Sequence, residues 1–190
     1  MHMYTAKDFS HLLGMPGLSD ALLSNHFTLY QGYVTNTNKL VDQMKAMEPG
    51  TPEYAELHRR FGWEWNGMRL HELYFENLSQ TENTQGPSAA LKEKMTESFG
   101  SLEAWSEDFF GIALMRGIGW VVLTQDEHTG QLFNTWINEH DGGFLAGGKP
   151  LLVLDVFEHA YMTDYGIKKA DYVALYKTHI NWDIVSQRFV

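Results

Sequence analysis

Leu22, Leu23, Leu29, Tyr30 and Tyr33 fall at helical spacings among polar neighbours, and the pattern predicts a helix over Leu18–Met47. Ser19 is its expected cap, and Gly32 weakens it locally. Glu48-Pro49-Gly50 stops it. Thr51 and Pro52 restart a helix, with Pro52 in the first turn where a missing N–H costs nothing. That second helix is expected over Pro52–Leu78, distorted near Gly62 and Gly67. Gln80–Gly86 reads as a polar linker. Shorter helices are expected over Ser88–Glu97 and Ser101–Met115, the latter with a stripe of Leu102, Trp105, Phe109, Ile112 and Ala113. After Gly117 the pattern changes. IGWVVLTQ and QLFNTWIN read as strands joined by a turn at Asp126–Gly130, and Leu151–Asp155 as a third strand after the glycine-rich loop Asn138–Lys149. Helices follow over Glu158–Tyr165, Lys169–His179 and Trp182–Phe189. The expected fold is α+β: an N-terminal helical hairpin domain, residues 1–86, and a C-terminal α/β domain, residues 87–190, with a three-stranded antiparallel sheet.

The 190 residues are 44% hydrophobic and 20% charged, a globular composition with ample material for a core. A net charge of -10 argues against a general nucleic-acid partner, because phosphate binding needs a positive footprint. The same charge repels an anionic substrate unless local positive charge focuses it. With no cysteine, thiolate and iron–sulfur chemistry are excluded, and any metal must sit on N and O ligands. The opening MHMYTAKDFSH lacks an apolar core of the kind a signal peptide has, and no run is long enough to span a membrane. A cytoplasmic location is the expectation.

In LLVLDVFEHAYMTDYG, which opens on the most apolar run, two chemistry-bearing residues flank the crossing from strand to helical pattern. Asp155 lies where the strand pattern stops, and His159 lies four residues later, where a helical pattern begins. At a strand-to-helix corner the two can converge among apolar neighbours. An unpaired carboxylate is expensive there, and a cation removes that cost. The other reading is a helix-capping Asp beside a core histidine. His26 lies on or near the apolar face of the first helix and His71 within GMRLHELYFENL of the second; each alone also reads as a core histidine. Three imidazoles and one carboxylate suit Mn or Fe, and also Zn. His58, His128, His179, His11 and His2 are poorer candidates by position.

DVFEHAYMTDYG resembles the DVWEHAYY signature of the iron/manganese superoxide dismutase family, with Phe157 where Trp is usual. GIGWVVL, ADYVALYKTHINWDIVSQRF, GLSDALLSNH, YVTNTN and WNGMRLHELYFENL resemble further segments of that family in the same order, so the resemblance spans nearly the whole chain. It implies a helical hairpin and an α/β domain jointly enclosing one Fe or Mn ion per subunit. The implied ligands are His26, His71, Asp155 and His159, with a solvent molecule as the fifth. It implies a homodimer in which Glu158 bonds the partner's last ligand histidine. Tyr33 resembles the tyrosine that gates the substrate channel and relays protons, and Trp120 a wall aromatic. The implied reaction converts superoxide and protons to dioxygen and hydrogen peroxide. A peroxidase-like oxidoreductase and a non-catalytic metal-binding homologue are the alternatives.

The sequence departs from the family pattern in three places. One residue is missing between His26 and Tyr33, which a helix can absorb by losing a local bulge. The second histidine of the family's first motif is absent, with Tyr30 in its neighbourhood, and the tyrosine it would bond across the dimer is replaced by Met162. The outer-sphere glutamine is also absent. Gly67 occupies its iron-type position, the manganese-like choice. In the manganese-type position the chain reads NEHD, Asn138–Asp141, where His140 is the expected donor to bound solvent and Glu139 the runner-up.

Overall fold

The computed structural model describes residues 3–189; His2, set aside above as a ligand, lies outside them. Helix α1 spans Asp20–Ala46 and α2 Pro52–Glu76, packed as an antiparallel hairpin. Their caps are those expected. Ser19 Oγ accepts the Leu22 N–H at 3.1 Å, and Thr51 Oγ1 accepts that of Tyr54 at 3.2 Å. Helix α1 is α-helical throughout, with no bulge between His26 and Tyr33. Seven residues then amount to nearly two full turns, so both side chains leave the same face. Helix α2 also runs unbroken through Gly62 and Gly67, against the expected distortion. Gly67 is buried against the Tyr33 ring, where a Cβ would lie 2.5 Å from Tyr33 Cδ1. Its glycine is therefore accounted for by packing.

Helices α3 (Ala89–Phe99) and α4 (Leu102–Ala113) lead into the sheet: β1 Gly119–Asp126, β2 Leu132–Asn138 and β3 Gly148–Asp155. All pairs are antiparallel in the order β2-β1-β3, with β1 central and almost wholly buried. Strand β3 begins three residues before the expected Leu151, because β3 is an edge strand and accepts Pro150 at a register shift opposite Thr124. The register sets Trp120 directly opposite Asp155, so their side chains share one face of the sheet.

Beyond β3 the single expected helix divides into a 3-10 turn, Glu158–Ala160, and α5, Met162–Tyr165. Tyr161 at φ -145° separates them, and the sharp turn carries His159 back to Asp155. Helices α6 (Lys169–Thr178) and α7 (Trp182–Arg188) close the chain. Asn77, fully buried at the end of α2, ties the two halves together. Its Oδ1 accepts the Val153 N–H at 2.8 Å and its carbonyl accepts that of Asn181 at 2.7 Å. At the other end, Asp164 accepts both the Ser19 N–H (2.7 Å) and its hydroxyl (2.6 Å). Among the described residues, no helix is long and apolar enough to cross a membrane.

Candidate metal centre

Four elements each deliver one side chain to the same point: α1 His26, α2 His71, β3 Asp155 and the 3-10 turn His159. Their ligand atoms all lie within 4.8 Å of one another. Asp155 Oδ2 is 3.2 Å from His26 Nε2, 3.7 Å from His71 Nε2 and 3.1 Å from His159 Nε2. The first three residues are buried, and only His159 is partly exposed, at 26% of its side chain.

Hydrogen bonding tests whether this cluster suits a cation. His71 Nδ1 donates to the Gly67 carbonyl at 2.5 Å, so its Nε2 carries a lone pair, and that Nε2 has no hydrogen-bond partner in the protein. His26 Nε2 is also buried, and its one polar neighbour among the ligands' carboxylate oxygens is Asp155 Oδ2 at 3.2 Å. Asp155 Oδ1 is engaged by the Phe157 N–H at 2.8 Å, which aims Oδ2 at the imidazoles. Burial pushes the pKa of both His26 and His71 down and keeps them neutral. Burial pushes the Asp155 carboxyl up, but His159 and His26 outweigh it and hold the group well below the usual carboxylate range. The result is one carboxylate facing three imidazoles in an apolar interior, with the His71 Nε2 lone pair unsatisfied, an arrangement that a bound cation completes.

Aromatic groups enclose the cluster. Tyr33 stacks on His71 with ring centroids 5.2 Å apart, and Trp120 meets His71 edge-on at 4.9 Å. Phe157 stacks on His159 at 5.1 Å and on His140 at 4.8 Å. His140 is fully buried, and both ring nitrogens are used. Its Nδ1 accepts from Trp120 Nε1 at 3.1 Å, which leaves the proton on Nε2, 2.7 Å from the Tyr33 hydroxyl. Burial pushes the His140 pKa down to about 4 and that of Tyr33 up to about 12. Glu139 takes φ 52° and stays partly exposed, which turns His140 inward. Gly143, at φ 106° with the Trp136 carbonyl 2.5 Å from where a Cβ would stand, lets the loop close.

Comparisons with known proteins bear on this site. The family described as "Iron/manganese superoxide dismutases, C-terminal domain" matches residues 87–188. An iron superoxide dismutase of Cupriavidus metallidurans is 36% identical over 181 residues, covering 92% of this chain and 90% of that protein. The chain belongs to the iron/manganese superoxide dismutase family. A manganese superoxide dismutase of Haloferax volcanii is also 36% identical, covering 92% of this chain and 88% of that protein. An iron enzyme of Aquifex pyrophilus is 35% identical across 100% of this chain and 92% of its own length. Relatives named for iron and for manganese are thus equally similar, and the His/His/Asp/His centre fits one ion of either metal.

As a superoxide dismutase the chain has its own wall. Tyr30, which stands near the family's second histidine, is turned into the helical half; its hydroxyl donates to Glu72 at 3.0 Å and accepts the Lys7 N–H at 2.9 Å. It does not take the missing histidine's place as a donor. Met162 is 46% exposed and Glu158 faces solvent. Trp63, edge-on to His140 at 4.9 Å, was missed in the sequence. Its signal was its position: Trp63, Gly67 and His71 recur every four residues on one stripe of α2.

Proposed function

We propose that this chain removes superoxide by dismutation at one Fe or Mn ion held by His26, His71, Asp155 and His159, with Tyr33, His140, Trp120 and Glu158 shaping the site around it. The observation that carries the reading is the convergence of four ligand atoms whose buried histidine nitrogens lack any other partner. Bound there, Fe or Mn supplies one-electron chemistry, alternating between trivalent and divalent states, so that two superoxide ions and two protons become dioxygen and hydrogen peroxide.

The chain's residues supply charge and proton positions. Neutral imidazoles with a single carboxylate leave the loaded centre cationic, which draws a small anion despite a net charge of -10. Trp120 fixes the His140 tautomer, and His140 Nε2–H then holds the Tyr33 oxygen. The phenolic proton of Tyr33 is thereby free to point into the site. This alters the expected role of His140: its one N–H acts through Tyr33, whereas the expectation was a direct bond to bound solvent. Tyr33 and Trp120 also restrict access through their contacts with His71.

Support for a homodimer comes from His159, the one partly exposed ligand imidazole, and the adjacent exposed Glu158. Among the described residues nothing bonds His159 Nδ1, and a partner's carboxylate there would fix its tautomer. The domain division at residues 86 and 87 is supported by the family match from residue 87.

The test is dismutation by protein reconstituted with Fe alone and with Mn alone, each rate divided by bound metal. Rapid turnover with at least one metal supports the assignment. Negligible turnover in both fully loaded forms removes it and leaves only a metal-binding protein.

A further inference from the structure

One charged pair lies in the wall of the site without belonging to the ligand cluster. Glu64 on α2 is 3% exposed. Its Oε1 accepts from Arg60 Nε at 2.9 Å and lies 2.7 Å from Arg60 Nη2. Its Oε2 accepts from Asn36 Nδ2 at 3.2 Å, three residues along α1 from Tyr33. The Arg60 guanidinium also lies over the Trp63 ring, 5.0 Å from its centroid, and Trp63 in turn meets His140 edge-on at 4.9 Å. The Arg60 side chain is 55% exposed and that of Glu64 4%, so the pair runs from solvent into the wall beside Tyr33.

Both charges reach the reacting side of that wall. Glu64 is held to Asn36, one turn along α1 from Tyr33, and Arg60 reaches His140 through the Trp63 ring. Left alone, a buried carboxylate here would repel an approaching anion over a short, poorly screened distance. We propose that Arg60 determines anion access to the metal centre, by cancelling the Glu64 charge in the channel wall beside Tyr33 and His140. The inference rests on the dismutase reading for the identity of the natural anion, superoxide. The guanidinium's seat on Trp63 gives it a fixed position, which a flexible surface cation would lack.

The experiment uses metal-loaded protein and azide as the probe anion, titrated by the optical change at the metal. Four variants are compared at fixed pH: Arg60→Gln, Arg60→Lys, Glu64→Gln and the double Arg60→Gln/Glu64→Gln. Arg60→Gln unmasks the carboxylate and weakens azide about three- to tenfold, while Glu64→Gln leaves the cation unopposed and tightens it by a similar factor. Arg60→Lys and the double variant stay near the parent value. The kcat/KM for superoxide follows the same order, and the Arg60→Gln deficit widens as ionic strength falls. A merely structural ion pair would move both single variants in the same direction, and that result overturns the inference, as do shifts below about twofold in both. If Arg60→Gln fails to fold, Glu64→Gln and the double variant decide alone: tightening in the first that is reversed in the second supports the inference, and any other pattern overturns it. Opposite azide shifts in a protein without superoxide turnover would sink the dismutase reading and keep the inference. Normal turnover without opposite shifts would do the reverse.

Discussion

A methyl group at Gly67 would lie 2.5 Å from Tyr33 Cδ1, so a side chain there displaces the tyrosine. Gly67→Ala gains helix propensity of about 1 kcal/mol but overfills a tight contact, which costs about 1–3 kcal/mol. Tyr33 moves, and its 2.7 Å bond to His140 goes with it. The variant is expected to keep its metal while turnover falls about tenfold or more, since small misplacements at a reacting centre are costly. Metal content measured beside turnover checks this; full turnover with an unchanged melting temperature would refute it. The ligands themselves predict an acid-labile metal-free protein. His26 and His71 have pKa values lowered from 6.5 in the folded chain. As pH falls through about 6.5 the unfolded chain takes up protons that the folded chain refuses, and stability drops. Asp155, held low, adds stability above its unfolded value of 3.8 that is lost on further acidification. The melting temperature of chelated protein should therefore fall between about pH 7.5 and 5.5 and again below about pH 4. A flat profile over both windows would contradict the proposed protonation states.

The site depends on how α2 and β3 are held together, and Asn77 is the joint. Replacing Asn77 with Ala leaves the buried Val153 N–H without its acceptor, at a cost of about 1–3 kcal/mol. Because α2 carries His71 and β3 carries Asp155, the same change should weaken metal binding; denaturant melts together with a metal competition titration test both effects. Strong periodicity made most elements legible in the sequence. The caps Ser19 and Thr51 and the order of elements stand where the pattern put them, and the strand expected over IGWVVLTQ forms one residue later, at Gly119–Asp126. The misreadings at Gly67 and at the start of β3 share a cause, since each depends on a contact distant in sequence. Gly67 reads as a helix breaker until Tyr33 is seen against it, and Gly148–Pro150 as loop until β1 pairs with it. The ligands were legible as a set only through the resemblance to known dismutase segments. His26 and His71 each look like core histidines until α1, α2 and β3 meet. The direction of the His140 N–H was not readable at all, because it is set by the Trp120 indole on β1, twenty residues away.

Ligands from both halves of the chain meet at one point, so metal binding and the docking of those halves share a free energy. Asp164, bonded to Ser19, supports that docking from the far side, and Asp164→Ala should lower the melting temperature of the metal-free protein more than that of the loaded protein. Differential scanning calorimetry of both forms checks the difference; equal losses would mean that the metal adds nothing to the docking. At this scale the net charge of -10 also matters, because the whole molecule repels the anion that its centre attracts. The central claim is that one ion on His26, His71, Asp155 and His159 does the chemistry. The most direct measurement is superoxide decay during titration of metal-free protein with Fe or Mn, in parallel with Asp155→Asn. The rate should rise linearly and saturate at about one ion per chain, with Asp155→Asn gaining little at any ratio. Saturation at another stoichiometry, or equal activity in the variant, would contradict it.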